Sequence, residues 1–206
     1  MARVSQEHLD ARRSQILDGA ARCFARNGFH ATSMQDVLQE AGLSAGAVYR
    51  YFRGKDEIIE AVVTTVIHSF RDNFAAAAVW ESTPPPLDEL LGRLMRGVLG
   101  LNAEATDESN SFPPLIVQVW AETLRNKELN ALMREGFSGM RASWVKIFEA
   151  YQAEGLMRDD IPAESVARTM LALTQGFGVQ VALFGEAPVE EIEAGVRALT
   201  SMGARR

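Results

Sequence analysis

The chain has 206 residues, of which 47% are hydrophobic and 23% charged, a balance typical of globular proteins with one or two domains. It contains no uncharged apolar stretch of about 18 residues, and its polar N-terminus lacks the apolar core of a signal peptide, so we predict a cytoplasmic protein without a membrane span. A single cysteine, Cys23, cannot form an internal disulfide. Three scattered histidines provide no metal-binding spacing, and no metal or cofactor is expected.

The charge is unevenly distributed along the chain. The net charge of −6 argues against indiscriminate binding to nucleic acid. Residues 1–55 contain eight basic and five acidic residues, a balance of +3, whereas the remainder contains 13 basic and 22 acidic residues, a balance of −9. We therefore predict a mildly basic head followed by an acidic body.

Apolar residues recur at spacings of three and four along the whole chain, which predicts an all-helical protein of about nine helices. The first helix covers about Leu9 to Arg26, and Asn27-Gly28 supplies the left-handed residue that helix ends favour. Ser33 is a good N-cap for a short second helix, and Asp36 three residues later completes a capping-box variant. Gly42 ends this second helix.

The third helix is predicted from Ser44, its cap, to about Tyr51. Two short helices joined by a glycine-containing turn make a helix-turn-helix. The sequence "RGKDE" then opens a longer helix from about Lys55 to Ala78, with a wide apolar stripe suited to burial against more than one neighbour.

The rest of the chain is predicted as five helices and two loops. The loops are "STPPP" at Ser82–Pro86 and "TDESNSFPP". The helices span about Leu87–Glu104, Pro113–Leu124, Lys127–Glu154, Pro162–Phe184 and Pro188–Met202, and Pro162 and Pro188 are placed in the first turns of the last two.

The second helix of a helix-turn-helix enters the major groove, so its outer residues are predicted to touch DNA. Hydroxyl, phenol and ammonium groups suit phosphate oxygens, and the candidates are Thr32, Ser33, Ser44, Tyr49, Tyr51 and Lys55. Arg50 is the best candidate for reading a base, because arginine pairs bidentately with guanine. The other candidates for base contact are Gln35 and the small residues Ala45, Gly46 and Ala47.

Each of these residues has a plainer interpretation. Tyr49 and Tyr51 occur equally well as ordinary surface or core residues, and Arg50 with its basic neighbours suits a solvated face. Ser33 caps its helix whatever else it does, and Gln35 is compatible with plain surface. The combination of these residues on one short segment favours DNA.

The segment from about Arg13 to Glu57 resembles the tetracycline-repressor (TetR) family of bacterial regulators. It reads "RSQILDGAARCFARNGFHATSMQDVLQEAGLSAGAVYRYFRGKDE". It matches the family's Ile-Leu-x-x-Ala-x-x-x-Phe first helix, the following Gly and Thr/Ser pair, the Ala-Gly-hydrophobic-Ser turn, and the Gly-x-hydrophobic-Tyr-x-Tyr-Phe segment with its Lys. The departures are Arg50, at a variable recognition position, and Glu7 and Asp10, which make the N-terminal arm less basic than in some relatives.

The resemblance implies a homodimeric regulator, usually a repressor, that leaves its palindromic operator when a small hydrophobic or amphipathic effector binds. It implies a DNA-binding domain at residues 1–55 and a ligand-binding and dimerisation domain at residues 56–206. The dimer would form through the last two helices, at Val166, Met170, Val181, Phe184, Ile192, Val196 and Leu199. The effector pocket would be lined by Phe70, Met95, Trp120, Phe137, Met140, Trp144 and Phe177, although any one of these residues suits a plain core position better.

Three alternatives stay open at the level of sequence. The first is a helical small-molecule-binding protein that no longer touches DNA, and the second is an activator rather than a repressor. The third is an all-helical enzyme, which is disfavoured because the chain shows no nucleophile–base pair, glycine-rich phosphate loop or metal spacing. The apolar face of the last two helices also suits a purely intramolecular core.

Overall fold

A computed structural model of the protein describes residues 6–77, 79–80, 83–99, 112–185 and 188–201. Several sequence-based expectations fall outside these residues and are not tested by the structure. They are the end of the fourth helix at Ala78, the end of the fifth at residues 100–104, the second loop up to residue 111, and Met202 as the final helical residue.

Within the described residues every regular element is a helix, which confirms the all-helical prediction. The nine helices are α1 (Gln6–Ala31), α2 (Met34–Ala41), α3 (Ala45–Val48), α4 (Lys55–Ala77), α5 (Leu87–Leu99), α6 (Phe112–Thr123), α7 (Lys127–Ala153), α8 (Ala163–Phe184) and α9 (Val189–Thr200). Among these helices none combines the length and apolar character needed to cross a bilayer.

Several helix ends differ from the sequence prediction. Gly28 has a positive φ of 78° and an extended ψ of 166°, so it interrupts the helix where the sequence predicted its end; one further helical turn follows, and α1 reaches Ala31. The helix α3 is shorter than predicted, because the amides of Tyr51 and Phe52 both bond to Val48 O and close a turn there. Pro162 and Pro188 directly precede α8 and α9, as N-cap residues.

The described chain divides into two compact units, each with its own core. The head unit comprises the chain up to Val66 together with the segment ending at Asn130, so it contains α1–α3, the start of α4, and α6. The body unit holds the end of α4, α5, most of α7, α8 and α9. The head unit therefore extends past the predicted boundary at residue 55 and includes a helix from later in the chain.

The head core is formed where α1 and α2 cross. Ile16 and Ala20 of α1 and Val37 of α2 are fully buried. At the crossing point, a β-carbon on Gly19 would lie 3.0 Å from the backbone N and Cα of Ala41. The two backbones therefore approach each other more closely than a side chain at Gly19 would permit.

The helix α6 packs against α1 within the head unit. A β-carbon on Gly28 would lie 3.2 Å from Gln118 Oε1. Further along each helix, the imidazole of His30 lies 3.0 Å from a carboxylate oxygen of Glu122. These contacts explain why α6 clusters with the head although it follows α5 in sequence.

The body core is rich in aromatic residues. Trp144 of α7 is fully buried, stacks on Phe148 with ring centroids 5.5 Å apart, and meets Phe74 of α4 edge to face at 5.2 Å. Tyr151, one turn beyond Phe148, donates its hydroxyl to Pro85 O. Burial raises the pKa of this phenol to about 12, so it stays protonated at neutral pH.

Charged residues join α5 to α9. Asp88, at the start of α5, is buried and accepts a hydrogen bond of 2.6 Å from Arg197 Nε. Further along α5, Arg96 pairs with Glu190 at 3.2 Å and, still closer, with Glu193. The burial of Asp88 is therefore balanced by a charged partner from α9.

Candidate nucleic-acid interface

The helix α2 starts with a complete capping box. Ser33 Oγ accepts the amide proton of Asp36 at 3.2 Å, and the Asp36 carboxylate accepts the Ser33 amide proton at 2.7 Å. The hydrogen bonds from Ser33 hold the pKa of Asp36 below its ordinary value. The sequence prediction of a capped helix at this position is confirmed.

The turn and the start of α3 also follow from the sequence. Gly42 ends α2 in the left-handed conformation (φ 65°), and the Ser44 side chain accepts the Ala47 amide proton at 3.3 Å. Val48 and Phe52 are buried against the head core. Because a helix of four residues is not stable alone, these two side chains are what hold α3 in place.

The opposite side of α3 faces solvent. The predicted base-contact residues Gln35, Ala45, Gly46 and Arg50 are exposed, and Ala47 is half-buried. Apart from its chain neighbours and the backbone of its own helix, no described heavy atom lies within 4 Å of the position that a β-carbon on Gly46 would take. Tyr49, directly after α3, is 52% exposed. The structure thus brings these side chains together on one open surface around α2 and α3.

The predicted phosphate-contact residues occupy different environments. Ser33 and Ser44 are exposed and Tyr51 is half-buried, although both serine hydroxyls also serve as helix caps. Thr32 is 1% exposed, and its hydroxyl lies 2.8 Å from Gly28 O and 3.2 Å from Cys23 O. The single hydroxyl proton of Thr32 is therefore used inside the protein, which leaves none for a phosphate in this conformation.

Lys55 also has internal partners. Its ammonium group donates to Phe29 O at 2.9 Å and to Thr32 O at 3.0 Å. Both acceptors lie 23 to 26 residues earlier in the chain. The local sequence around Lys55 gives no sign of such distant partners, and sequence reasoning missed them.

Ion pairs between α1 and α2 complete the head. Glu40 of α2 accepts from Arg22 and Arg26 of α1, each at 2.8 Å, and both bonds lower the pKa of the Glu40 carboxyl. Burial raises the pKa of the Cys23 thiol, which lies beside this pair. Cys23 is therefore a protonated core residue at neutral pH.

The predicted dimer residues divide into three groups. Met170 of α8 and Val196 of α9 are buried within the body unit, whereas Phe184 and Leu199 are 73% and 63% exposed. Val166, Val181 and Ile192 are half-buried. Leu183, which the sequence prediction omitted, is also exposed.

A groove of about 470 Å³ runs between α8 and α9. It is lined by Leu173, Gly176, Phe177, Gln180, Pro188, Glu191, Ile192, Gly195, Val196 and Leu199. Neither Gly176 nor Gly195 has a heavy atom within 4 Å of its β-carbon position, so the floor of the groove is open. By contrast Gly178, two residues after Gly176, is buried.

The predicted pocket residues are mostly core residues. Met95, Met140, Trp144 and Phe177 are buried in the body unit, and Phe70 and Phe137 of the same unit are half-buried. Trp120 is half-buried in the head unit. The indole nitrogen of Trp144 has no hydrogen-bond partner among the described residues, although a buried Trp N–H usually has one.

A capped helix-turn-helix with an exposed recognition surface, joined to a larger helical unit, defines a DNA-binding transcriptional regulator. Family models match the chain in two parts. Residues 16–62 match bacterial regulatory proteins of the tetR family, and residues 92–202 match the C-terminal domain of BetI-type transcriptional repressors.

Individual proteins agree with these matches. The chain is 26% identical over 186 residues to the uncharacterized HTH-type transcriptional regulator YfiR of Bacillus subtilis, covering 88% of this chain and 85% of that protein. It is 47% identical over 62 residues to the HTH-type transcriptional repressor Rv1474c of Mycobacterium tuberculosis, covering 30% and 33% of the two chains.

Solved structures show the same fold. Salmonella enterica GusR superposes with a TM-score of 0.73 at 25% identity, over 97% of each chain. A protein from Saccharomonospora viridis, crystallised in complex with choline, superposes with a TM-score of 0.74 at 22% identity, over 94% of this chain and 97% of that one. The chain belongs to the TetR family of transcriptional regulators. It is a DNA-binding regulator and not an enzyme.

Proposed function

We propose that the protein is a cytoplasmic homodimeric repressor that binds a palindromic operator and leaves it when a small hydrophobic or amphipathic effector binds. The observation that carries this proposal is the surface around α3. Small residues and Arg50 face solvent there, while Val48 and Phe52 on the opposite side are buried and anchor the helix. Relatives that carry the name repressor support the direction of regulation.

The dimensions of the recognition surface suit a single half-site. Ala45, Gly46 and Ala47 are small enough for the backbone to approach base edges, and Arg50 follows about one turn later. Two copies of such a surface read half-sites about 34–36 Å apart, which is one turn of DNA. Two-fold symmetry of the protein therefore requires a palindromic operator.

The dimer contact is proposed at the groove between α8 and α9. Leu199, which lines the groove, exposes a large apolar area, as do Leu183 and Phe184 at the end of α8, and Gly176 and Gly195 open the floor of the groove to close approach by another helix. Exposed apolar patches bordered by polar residues mark interaction surfaces. The same groove on a second copy supplies the matching helices of a symmetric interface.

The effector is proposed to bind in the body unit. Trp144 presents an indole donor without a partner among the described residues, beside the aromatic rings of Phe74 and Phe148. An effector with an apolar body and one hydrogen-bond acceptor would satisfy that donor. Choline is a ligand of the Saccharomonospora viridis protein; its quaternary ammonium group suits aromatic rings and its hydroxyl oxygen can accept from the indole, so it is the first compound to test.

Coupling of effector binding in the body unit to DNA binding in the head unit requires an element that both units share. The helix α4 has residues in both, up to Val66 in the head and from Ile67 in the body. An effector that prefers one conformation of the body changes the population of DNA-competent dimers through such an element. The size of this effect equals the difference in effector affinity between the two conformations.

The proposal is tested by selecting duplexes from a randomised DNA library with the purified protein. We expect enrichment of a palindrome, binding that weakens steeply with salt, and two protein chains per palindrome in analytical ultracentrifugation. Addition of choline or related amphipathic compounds is then expected to weaken binding. Absence of any enriched duplex at low salt would favour the alternative of a helical ligand-binding protein without a DNA target.

A further inference from the structure

The ammonium group of Lys55 joins the two ends of the helix-turn-helix. Its acceptors, Phe29 O and Thr32 O, lie on the last turn of α1 and on the residue directly before the α2 cap Ser33. Lys55 itself is the first residue of α4, directly after the turn that follows α3. The bonds of 2.9 and 3.0 Å therefore connect the entrance of the motif with its exit.

The surroundings of Lys55 favour this internal role over contact with a phosphate. Two of the three ammonium donors are occupied by the carbonyls. The start of α4 is moreover acidic, because Asp56 and Glu57 lie in its first turn and Glu57 accepts the Arg53 amide proton at 2.6 Å. A carboxylate already occupies the helix terminus that would otherwise attract a phosphate.

The last turn of α1 gains from the same contact. Carbonyl groups at the end of a helical segment lack partners within the helix, and cations there are favourable. The Thr32 hydroxyl and the Thr32 amide are both bonded back to Gly28 O, so the segment from Gly28 to Thr32 forms one compact turn. Lys55 closes this turn from the side of α4.

We infer that Lys55 is a positioning residue, which fixes the recognition helix relative to α1 by bonding to Phe29 O and Thr32 O rather than by holding DNA phosphate. This inference rests on the proposed DNA-binding function. Because α3 has only four residues, its orientation depends on the segments at both ends of the motif. Loss of the two bonds is expected to disturb specific recognition more than general attraction to DNA.

The test compares Lys55→Arg, Lys55→Met and the control Arg53→Met. Arg53 is an exposed cation two residues away whose side chain lies outside the carbonyl contacts. Lys55→Arg keeps the charge but replaces a compact ammonium with a longer planar group. Binding is measured by fluorescence anisotropy at several salt concentrations, on a duplex selected by the wild-type protein and on an unrelated duplex.

For Lys55→Arg we expect about tenfold weaker binding to the selected duplex, with unchanged binding to the unrelated duplex and an unchanged salt dependence. The Tm is expected to fall by about 3–10 °C, since two hydrogen bonds to a charged group are disturbed. Arg53→Met is expected to keep its Tm. Circular dichroism at the assay temperature verifies that Lys55→Arg is folded there. A loss of specific binding is then due to altered positioning of the recognition helix and not to unfolding.

The inference is overturned if Lys55→Arg binds both duplexes like the wild type with an unchanged Tm. It is equally overturned if Lys55→Met keeps its Tm, weakens both duplexes alike, and lowers the slope of log affinity against log salt by about 0.9, the value for one lost phosphate contact. A wild-type protein that selects no duplex refutes the proposed function instead, and an unchanged Tm of Lys55→Arg would then still refute the carbonyl contacts.

Discussion

At the scale of single residues, neighbouring side chains around α3 have different roles. Val48 and Phe52 are buried and support the helix, whereas Arg50, between them in sequence, is exposed. The i, i+4 spacing of these two apolar residues is typical of the buried face of a helix, so local sequence accounts for this division. It could not indicate that Thr32 is enclosed or that Lys55 bonds to carbonyls, because both facts depend on contacts across the fold.

Arg50→Ala is expected to weaken binding to the selected operator by about 1–3 kcal/mol and to relax the preference at one base position, since a bidentate contact to guanine is lost. Stability should be unchanged, because the Arg50 side chain is exposed. The measurement is a binding series over operators with single base substitutions. Equal weakening on every duplex would instead identify Arg50 as a phosphate ligand.

Glu40 and Asp36 make the stability of the head dependent on pH. Their pKa values lie below the ordinary 4.5 and 3.8, so folding favours the ionised carboxylates. Their contribution is therefore complete above about pH 4.5 and is lost as the pH falls through the lowered values. Urea denaturation at a series of pH values should show the midpoint falling in this acidic range.

The variant Glu40→Gln distinguishes the contribution of Glu40 to this pH dependence from that of Asp36. It removes the ion pairs with Arg22 and Arg26, so its stability at neutral pH is expected to be lower and its decline in acid less steep than in the wild type. Lys146→Gln on α7 changes one charge without involving this cluster and serves as the control. An acid profile of Glu40→Gln parallel to that of the wild type would contradict the role assigned to Glu40.

At the scale of elements, most helices could be predicted from the spacing of apolar residues and from caps. The start of α2 at Ser33 and its end at Gly42 follow from local chemistry. The break at Gly28 follows from local chemistry, but the helical turn after it was not predicted, because Lys55 and α6, which contact this part of α1, are distant in sequence. The membership of α6 in the head unit depends on such distant packing too.

Two glycines in helices are expected to respond oppositely to alanine. At Gly19 the added β-carbon would lie 3.0 Å from the Ala41 backbone, so Gly19→Ala should force α1 and α2 apart and destabilise the protein by about 1–3 kcal/mol. At Gly139 of α7 nothing lies within 4 Å, so Gly139→Ala should stabilise by about 0.5–1 kcal/mol. Chemical denaturation of both variants measures the difference, and equal effects would refute the close crossing.

At the scale of the whole molecule, the groove between α8 and α9 was foreseen only in part. The sequence indicated apolar residues on both helices, but Met170 and Val196 proved to be core residues. An apolar residue on α8 or α9 lies either in the core of its own chain or on an exposed surface, and periodicity does not distinguish the two positions. Exposure of Leu183, Phe184 and Leu199 does make the distinction.

Leu199→Glu is expected to weaken the proposed dimer by about 2 kcal/mol or more, which is roughly thirtyfold in Kd, since a charge would be placed in the apolar contact. Leu156→Glu is the matched control, because Leu156 is also exposed, at 54%, but lies in the turn after α7. Sedimentation equilibrium at several concentrations measures both constants. Equal Kd values for the two variants would place the dimer contact elsewhere.

Val48 and Phe52 face the core on one side of α3, and the residues on its other side face solvent. This arrangement has a consequence for evolution and for engineering. Replacing Ala45 or Arg50 changes the chemistry offered to a base pair without altering the packing of the core. A duplicated copy of the gene could thus acquire a new target sequence through a few substitutions, each tolerated by the fold. The same positions are where a designed library should be randomised to redirect the protein to a chosen promoter.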